Sequence, residues 1–217
     1  MTRSWTLSGL AGLIAVSLLA ADARADRPVF EVTPFVGYRM GGQFDVENEE
    51  TGKTKSVDVS DDMSWGIDLG LYRDDYSYYE FLYSEQSAEF ESSEPLVRGV
   101  DLKTEYYQIG GTVMFPADGS RHEWIVPYIS LTIGATRFKP DGPYDSETNF
   151  SGSLGGGLRI PFNENFALNL GLRGYLTFVD SDSAIFCTGS GDLNCLVRTS
   201  GSTFFQGEGT IGVSVTF

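Results

Sequence analysis

Glu31, Arg39, Asp68, Glu80, Arg159, Arg173 and Glu208 share a property beyond charge. Each sits in a stretch where apolar and polar residues alternate, and each falls on the polar phase of its stretch. Carboxylates and guanidiniums gathered on one face have two chemistries open to them. Lining a water path, they would select or gate ions. Packed dry, they would pair with one another, because an unpaired buried charge is costly and a bidentate Arg–carboxylate contact is strong. The basic members of the set are arginines, and a planar guanidinium suits a desolvated carboxylate better than an ammonium does.

Other residue types with reactive potential lead to less. His122 is the only histidine, and Ser120 beside it has no nucleophile-elbow context. Cys187 and Cys195 lie close together with Gly189 and Gly191 between them. In an exported chain that spacing predicts a disulfide closing a short loop, and no histidine or third cysteine is near enough to make a zinc site. Asp61 and Asp62, Asp141 and Asp145, Asp180 and Asp182, and Asp192 do not follow the spacing of a calcium-binding helix–loop–helix, so they read as solvated loop residues. Gly155, Gly156 and Gly157 precede no helical pattern and form no phosphate-binding loop. The sequence therefore assigns no catalytic, cofactor-binding or metal-binding residue.

The elements that must position the charged set have a period of two. In residues 63–72, Met63, Trp65, Ile67, Leu69 and Leu71 point one way, and Ser64, Gly66, Asp68 and Gly70 the other. The same alternation runs through 30–40, 78–87, 103–115, 124–137, 150–161, 166–178 and 205–217. This predicts eight strands, each at least as long as a tilted membrane-crossing strand requires. Their connections alternate in length. Residues 41–62, 88–101, 139–149 and 180–203 are long, whereas 73–76, 116–121 and 163–165 are short. Long and short connections thus fall at opposite ends, as in an up-and-down barrel. Arg159 and Arg173 then lie on neighbouring strands that share the short 163–165 turn. Glu208, on the strand after that of Arg173, and Glu31, on the strand that closes against the last one, are their expected partners, with Glu80 and Asp68 completing the network from across the lumen.

Residues 1–25 stand apart from this pattern. Arg3, an apolar run from Leu7 to Leu19, and Ala23-Arg24-Ala25 together read as a secretory signal peptide with its cleavage site. Cleavage would remove Arg3, Arg24 and Asp22 and so move the formal charge from −15 to −16. So acidic a chain is not expected to bind nucleic acid. Residues 26–217 read as one domain.

Alternation alone also fits a soluble barrel with its apolar face inward. Several features favour the inverse. The polar face mixes arginine and carboxylates with Gly, Ser and Thr, which suits a narrow lumen. Aromatic residues such as Tyr38, Trp65, Phe81, Phe115, Trp124, Phe150, Phe166, Phe178 and Phe205 cluster near strand ends, as in interfacial girdles. A chain whose apolar face meets lipid must also close on itself to pair its backbone groups.

The terminal run Gly212-Val213-Ser214-Val215-Thr216-Phe217 alternates and ends on Phe. It resembles the C-terminal signal read by the outer-membrane insertion machinery. With Pro34-Phe35-Val36-Gly37-Tyr38-Arg39, Arg173-Gly174-Tyr175 and Val179 to Cys187, residues 26–217 resemble the small outer-membrane β-barrel superfamily that includes the outer membrane protein A barrel. The resemblance implies an all-β, eight-stranded antiparallel barrel in a Gram-negative outer membrane, with short periplasmic turns and long extracellular loops. It implies outer-membrane lipid and lipopolysaccharide, together with the insertion machinery, as partners of a monomer. Some barrels of this architecture modify outer-leaflet lipid with a Ser and a His. Here His122 falls at a periplasmic turn, out of reach of that leaflet. The expected function is non-enzymatic, with a charge-plugged interior and long loops serving envelope integrity or surface contact. A narrow porin-like channel is the alternative.

Overall fold

The alternating segments become strands because β-branched, aromatic and small residues fill a pleated surface. The computed structural model describes residues 30–48, 53–91, 101–117, 124–142, 146–179, 198–199 and 203–217. The strands are β1 (Phe30–Met40), β2 (Gln43–Asn48), β3 (Lys53–Val59), β4 (Asp62–Tyr72), β5 (Ser77–Glu91), β6 (Asp101–Met114), β7 (Val126–Pro140), β8 (Glu147–Pro161), β9 (Phe166–Phe178), β10 (Arg198–Thr199) and β11 (Thr203–Thr216). Among the described residues no helix occurs.

Eight of these strands close a ring. Each of β4 to β8 pairs antiparallel with its successor, β9 pairs with β11, and β1 pairs with both β4 and β11. The seam joins the two ends of the strand series: Glu31 lies opposite Thr216, Arg39 opposite Glu208, and the Phe217 amide donates to the Phe30 carbonyl at 2.8 Å.

The segment 41–62, expected as a plain connection, instead carries the β2–β3 hairpin. This hairpin joins β5 through Asp58 and Val59 and accepts β10 through Val46 and Glu47. Strands β5 to β8 also run 14 or 15 residues, longer than the apolar alternation predicts. Ladder hydrogen bonds need only backbone groups, so pairing continues past the point where the outward residues stop being apolar. Residues 1–25, Ser120, His122, Cys187 and Cys195 lie outside the described residues.

The barrel is inverted relative to a soluble one. Outward side chains such as Ile109, Leu131, Leu154 and Leu172 are 60, 64, 61 and 74 % exposed, whereas inward Gln108, Ser84, Thr136 and Gln206 are wholly buried. An apolar exterior around a polar interior is stable only in lipid.

Two tight turns close the short-connection end. Asn163 Oδ1 accepts from the amides of Asn165 and Phe166, both at 2.9 Å, so the side chain stands in for a backbone turn. Asp74 does the same between β4 and β5, accepting from the Ser77 hydroxyl at 2.6 Å and the Tyr76 amide at 2.9 Å. These bonds, the Ser77 hydroxyl foremost, hold the exposed Asp74 carboxyl below its ordinary range. A carboxyl lowered on folding contributes above its unfolded pKa, and that contribution is lost as pH falls through the lowered folded value. Amide exchange at Tyr76 is therefore expected to accelerate, beyond its intrinsic pH trend, only below about pH 4. In Asp74→Ala the step should be absent. A step unchanged in that variant would remove Asp74 as its cause.

Candidate functional site

The candidate site is the barrel interior, where period-two alternation delivers the polar residues of every wall strand. An interior enclosed by eight strands is only just wide enough for side chains, so charges placed there must meet.

They meet in stacked layers. At the short-turn end, Arg159 on β8 donates to Glu31 on β1 at 2.7 Å, and Glu31 also accepts from Tyr72 at 2.8 Å and Thr216 at 3.0 Å. In the middle, Arg173 on β9 reaches Glu80 on β5 at 2.5 Å. Thr112 donates to the same carboxylate at 2.6 Å, and Arg173 donates to Ser153 at 3.0 Å. Nearer the long-loop end, Arg39 on β1 grips Glu208 on β11 at 2.8 Å, with both side chains wholly buried. Tyr175 donates to the second oxygen of Glu208 at 2.7 Å, and Ser84 contacts both partners. The Arg39 guanidinium also lies 4.8 Å from the Tyr106 ring centre and 5.2 Å from that of Tyr175; the two rings stack on each other with centres 4.0 Å apart, so the stacked pair cradles the cation from one side.

Above this layer the interior becomes amide and then apolar. Tyr106 donates to Gln206 at 2.9 Å, Gln206 donates to Gln86 at 3.1 Å, and Gln86 donates to the Arg39 carbonyl at 3.1 Å. Phe138 and Phe204, both fully buried, then pack edge to face at 5.1 Å and cap the lumen beside buried Leu102. Opposite, Thr132 bridges Gln108 and Ser153 at 2.7 and 2.6 Å.

Within the seven residues singled out in the sequence, four carboxylates thus face three guanidiniums, and Asp68 is the one of those four without a guanidinium of its own. Its Oδ1 is buried with no hydrogen-bond partner. It lines a residual cavity of about 50 Å³ with Tyr78, Tyr128 and Asn169. A space of that size holds a water or two and is no conduit.

The profile of the outer membrane protein beta-barrel domain family matches residues 8–217. The chain belongs to this outer-membrane β-barrel family. Solved structures agree on the fold at low identity. Neisserial surface protein A aligns with a TM-score of 0.55 and 16 % identity, covering 87 % of this chain and 97 % of its own. The outer membrane protein AlkL, determined in lipid bilayers, aligns at 0.57 and 15 %, covering 100 % and 97 %. OprG from Pseudomonas aeruginosa aligns at 0.54 and 13 %, covering 88 % and 96 %. A search of curated proteins finds no match.

In this outer-membrane barrel the short turns are periplasmic and the long loops extracellular. The charged layers therefore follow one another along the membrane normal, with the phenylalanine cap at the extracellular mouth. All seven charged residues singled out in the sequence point into the lumen; Glu31 meets Arg159 as expected, but other partners differ. Glu208, expected to serve Arg173, pairs with Arg39. In register Glu208 lies opposite both arginines, and the Tyr106–Tyr175 cradle holds Arg39 against it. Arg173 is released to cross the lumen to Glu80. Asp68, expected to complete the network, gains no guanidinium.

Sequence reasoning missed the neutral half of the network. Tyr72, Ser84, Gln86, Tyr106, Tyr175 and Gln206 complete the layers. The available signal was their shared polar phase with the charges.

Proposed function

We propose that this protein is a non-enzymatic, non-conducting outer-membrane barrel whose interior is a structural plug and whose long extracellular loops act in envelope integrity or surface contact. The observation carrying this reading is the unbroken succession of side-chain layers, from Glu31–Arg159 through Glu80–Arg173 and Arg39–Glu208 to the Phe138–Phe204 cap. The layers join side chains of wall strands across the lumen, and the cavity lined by Asp68 beside them is about 50 Å³. The pairs hold the wall strands in register, and the resulting rigid cylinder displays the loops.

Planar-bilayer recording tests the plug. The intact protein is expected to give no steady conductance, and a steady open state would replace this reading with the narrow-channel one. A second arm tests the loops. Replacing 92–100 and 180–202 by short turns should leave the cold-versus-boiled gel shift of a folded barrel intact. It should also abolish rescue of a detergent-sensitive or adhesion-defective deletion strain. Full rescue by that variant would locate the function in the wall.

A further inference from the structure

The plug and the loops leave the outer wall unassigned. On most of its circumference the wall is apolar up to the extracellular rim. Met40 on β1, Met63 on β4, Phe178 on β9 and Phe205 on β11 are each about half exposed there, at 49, 59, 49 and 59 %.

The arc formed by β5, β6 and β7 differs. Its outward face is apolar through Phe81, Ile109 and Ile133, which are neighbours in register. One pleat higher come Tyr83 and Tyr107, with ring centres 5.1 Å apart. The next pleat brings Glu85, Glu105 and Arg137 side by side, and the one above it Lys103 directly opposite Lys139. Each pleat advances about 7 Å along the strand. Charges therefore begin where the tyrosine row marks the hydrocarbon boundary, at the depth of lipid head groups.

The arc is organised. Lys103 pairs with Glu85 at 2.7 Å, and Lys139 pairs with Glu105 at 2.6 Å. Tyr83 and Tyr107 donate to the same two glutamates at 2.6 and 3.1 Å. The glutamates are thereby saturated from below, and the two lysines are held side by side above them. Like charges directly opposite across a ladder repel. An ammonium has three donors and each of these spends one on its glutamate. The lysine side chains remain 42 and 35 % exposed. Arg137 joins them from the row below and spends one donor on the Ser146 hydroxyl at 3.1 Å. Among the described side chains, Lys103, Arg137 and Lys139 are the cations that face outward from the wall at this end. Glu89 and Asp101 lie opposite one another one pleat further out.

We infer that Lys103, Lys139 and Arg137 form a binding site for a phosphate of the outer-leaflet glycolipid, lipopolysaccharide. A phosphate seated between the two lysines would neutralise their repulsion, while its acyl chains would run down the Phe81–Ile109–Ile133 face. The site belongs to the wall and stands independently of what the loops do and of whether the lumen conducts.

The test is a binding titration of the folded barrel in zwitterionic nanodiscs, with gel-shift folding checked for each variant. Lysine-to-glutamine substitution at both positions (K103Q/K139Q) is expected to weaken lipopolysaccharide binding on the order of tenfold or more. The charge-preserving K103R/K139R should retain binding, and R73Q, at the periplasmic end, should change nothing. Dephosphorylated lipopolysaccharide should bind the wild type as weakly as intact lipid binds K103Q/K139Q. Equal affinity of wild type and K103Q/K139Q, indifference to dephosphorylation, or an equal response to phosphatidylglycerol vesicles would overturn the assignment.

Discussion

Glu208→Leu is expected to destabilise the folded barrel by about 3–5 kcal/mol, because it leaves the Arg39 guanidinium buried and uncompensated. Arg39 has no route to water: it is wholly buried, enclosed by Ser84, Tyr106 and Tyr175. Its Nη1 already lacks an acceptor, so losing Glu208 removes the one charge that balances it. Arg39→Leu should cost a similar amount by stranding the carboxylate. The double variant removes both charges and should recover most of the loss, since replacing a whole buried pair by apolar residues is often close to neutral. Urea unfolding of the lipid-embedded protein, followed by tryptophan fluorescence and gel shift, measures the three variants. Additive effects of the two single changes would contradict a coupled pair. So would a Glu208→Leu barrel as stable as the wild type.

Gly110→Val should prevent the barrel from closing. A Cβ at Gly110 would stand 2.0 Å from the Leu131 carbonyl oxygen and 2.7 Å from the Thr132 Cα, both backbone atoms of the neighbouring strand. Gly134 meets the Tyr107 carbonyl at the same 2.0 Å from the other side of the ladder. Together these glycines let β6 and β7 bend tightly around the lumen, and no rotamer change can clear a backbone atom. Gly207→Val is the matched control. Its Cβ meets nothing within 4 Å and would face lipid. Refolding yield into lipid vesicles should fall below a tenth of wild type for Gly110→Val and stay near wild type for Gly207→Val, the outcome expected of a severe steric class of substitution. Comparable yields would mean that the wall relaxes more readily than its geometry implies.

The strands were legible because lipid imposes a rule stronger than propensity. Every outward position over a membrane-crossing span must be apolar, so Met63, Trp65, Ile67, Leu69 and Leu71 mark β4 almost residue by residue. The same rule fixes phase, which is why the lumen-facing set could be written down before any partner was known. Partnership was not legible. It depends on how far each strand is staggered against the next, a property that period-two alternation leaves open. Glu208, flanked in register by two arginines, illustrates the ambiguity. Tyr106 and Tyr175 escaped for a different reason. Their strands place both on the lumen phase, but a tyrosine there reads as mere filling until the partner of its hydroxyl is known. The β2–β3 hairpin was missed because it stands above the membrane, where no lipid rule separates its two faces.

The placement of the Arg39–Glu208 pair on the seam bears on how the barrel forms. Its two residues are 169 positions apart, and Thr216 and Glu31 are 185 apart, yet both contacts join the first wall strand to the last. A sheet grown strand by strand from β1 cannot contain them until β11 is added. Such distant contacts are late and slow, because loop-closure entropy must be met before they reward it. Until β1 meets β11, Arg39 and Glu208 remain hydrated at opposite open edges, and an unfinished sheet keeps water on its concave side. Closure and dehydration are therefore one event. The wholly buried Arg39–Glu208 pair acts as a latch that engages only after the whole chain has been threaded.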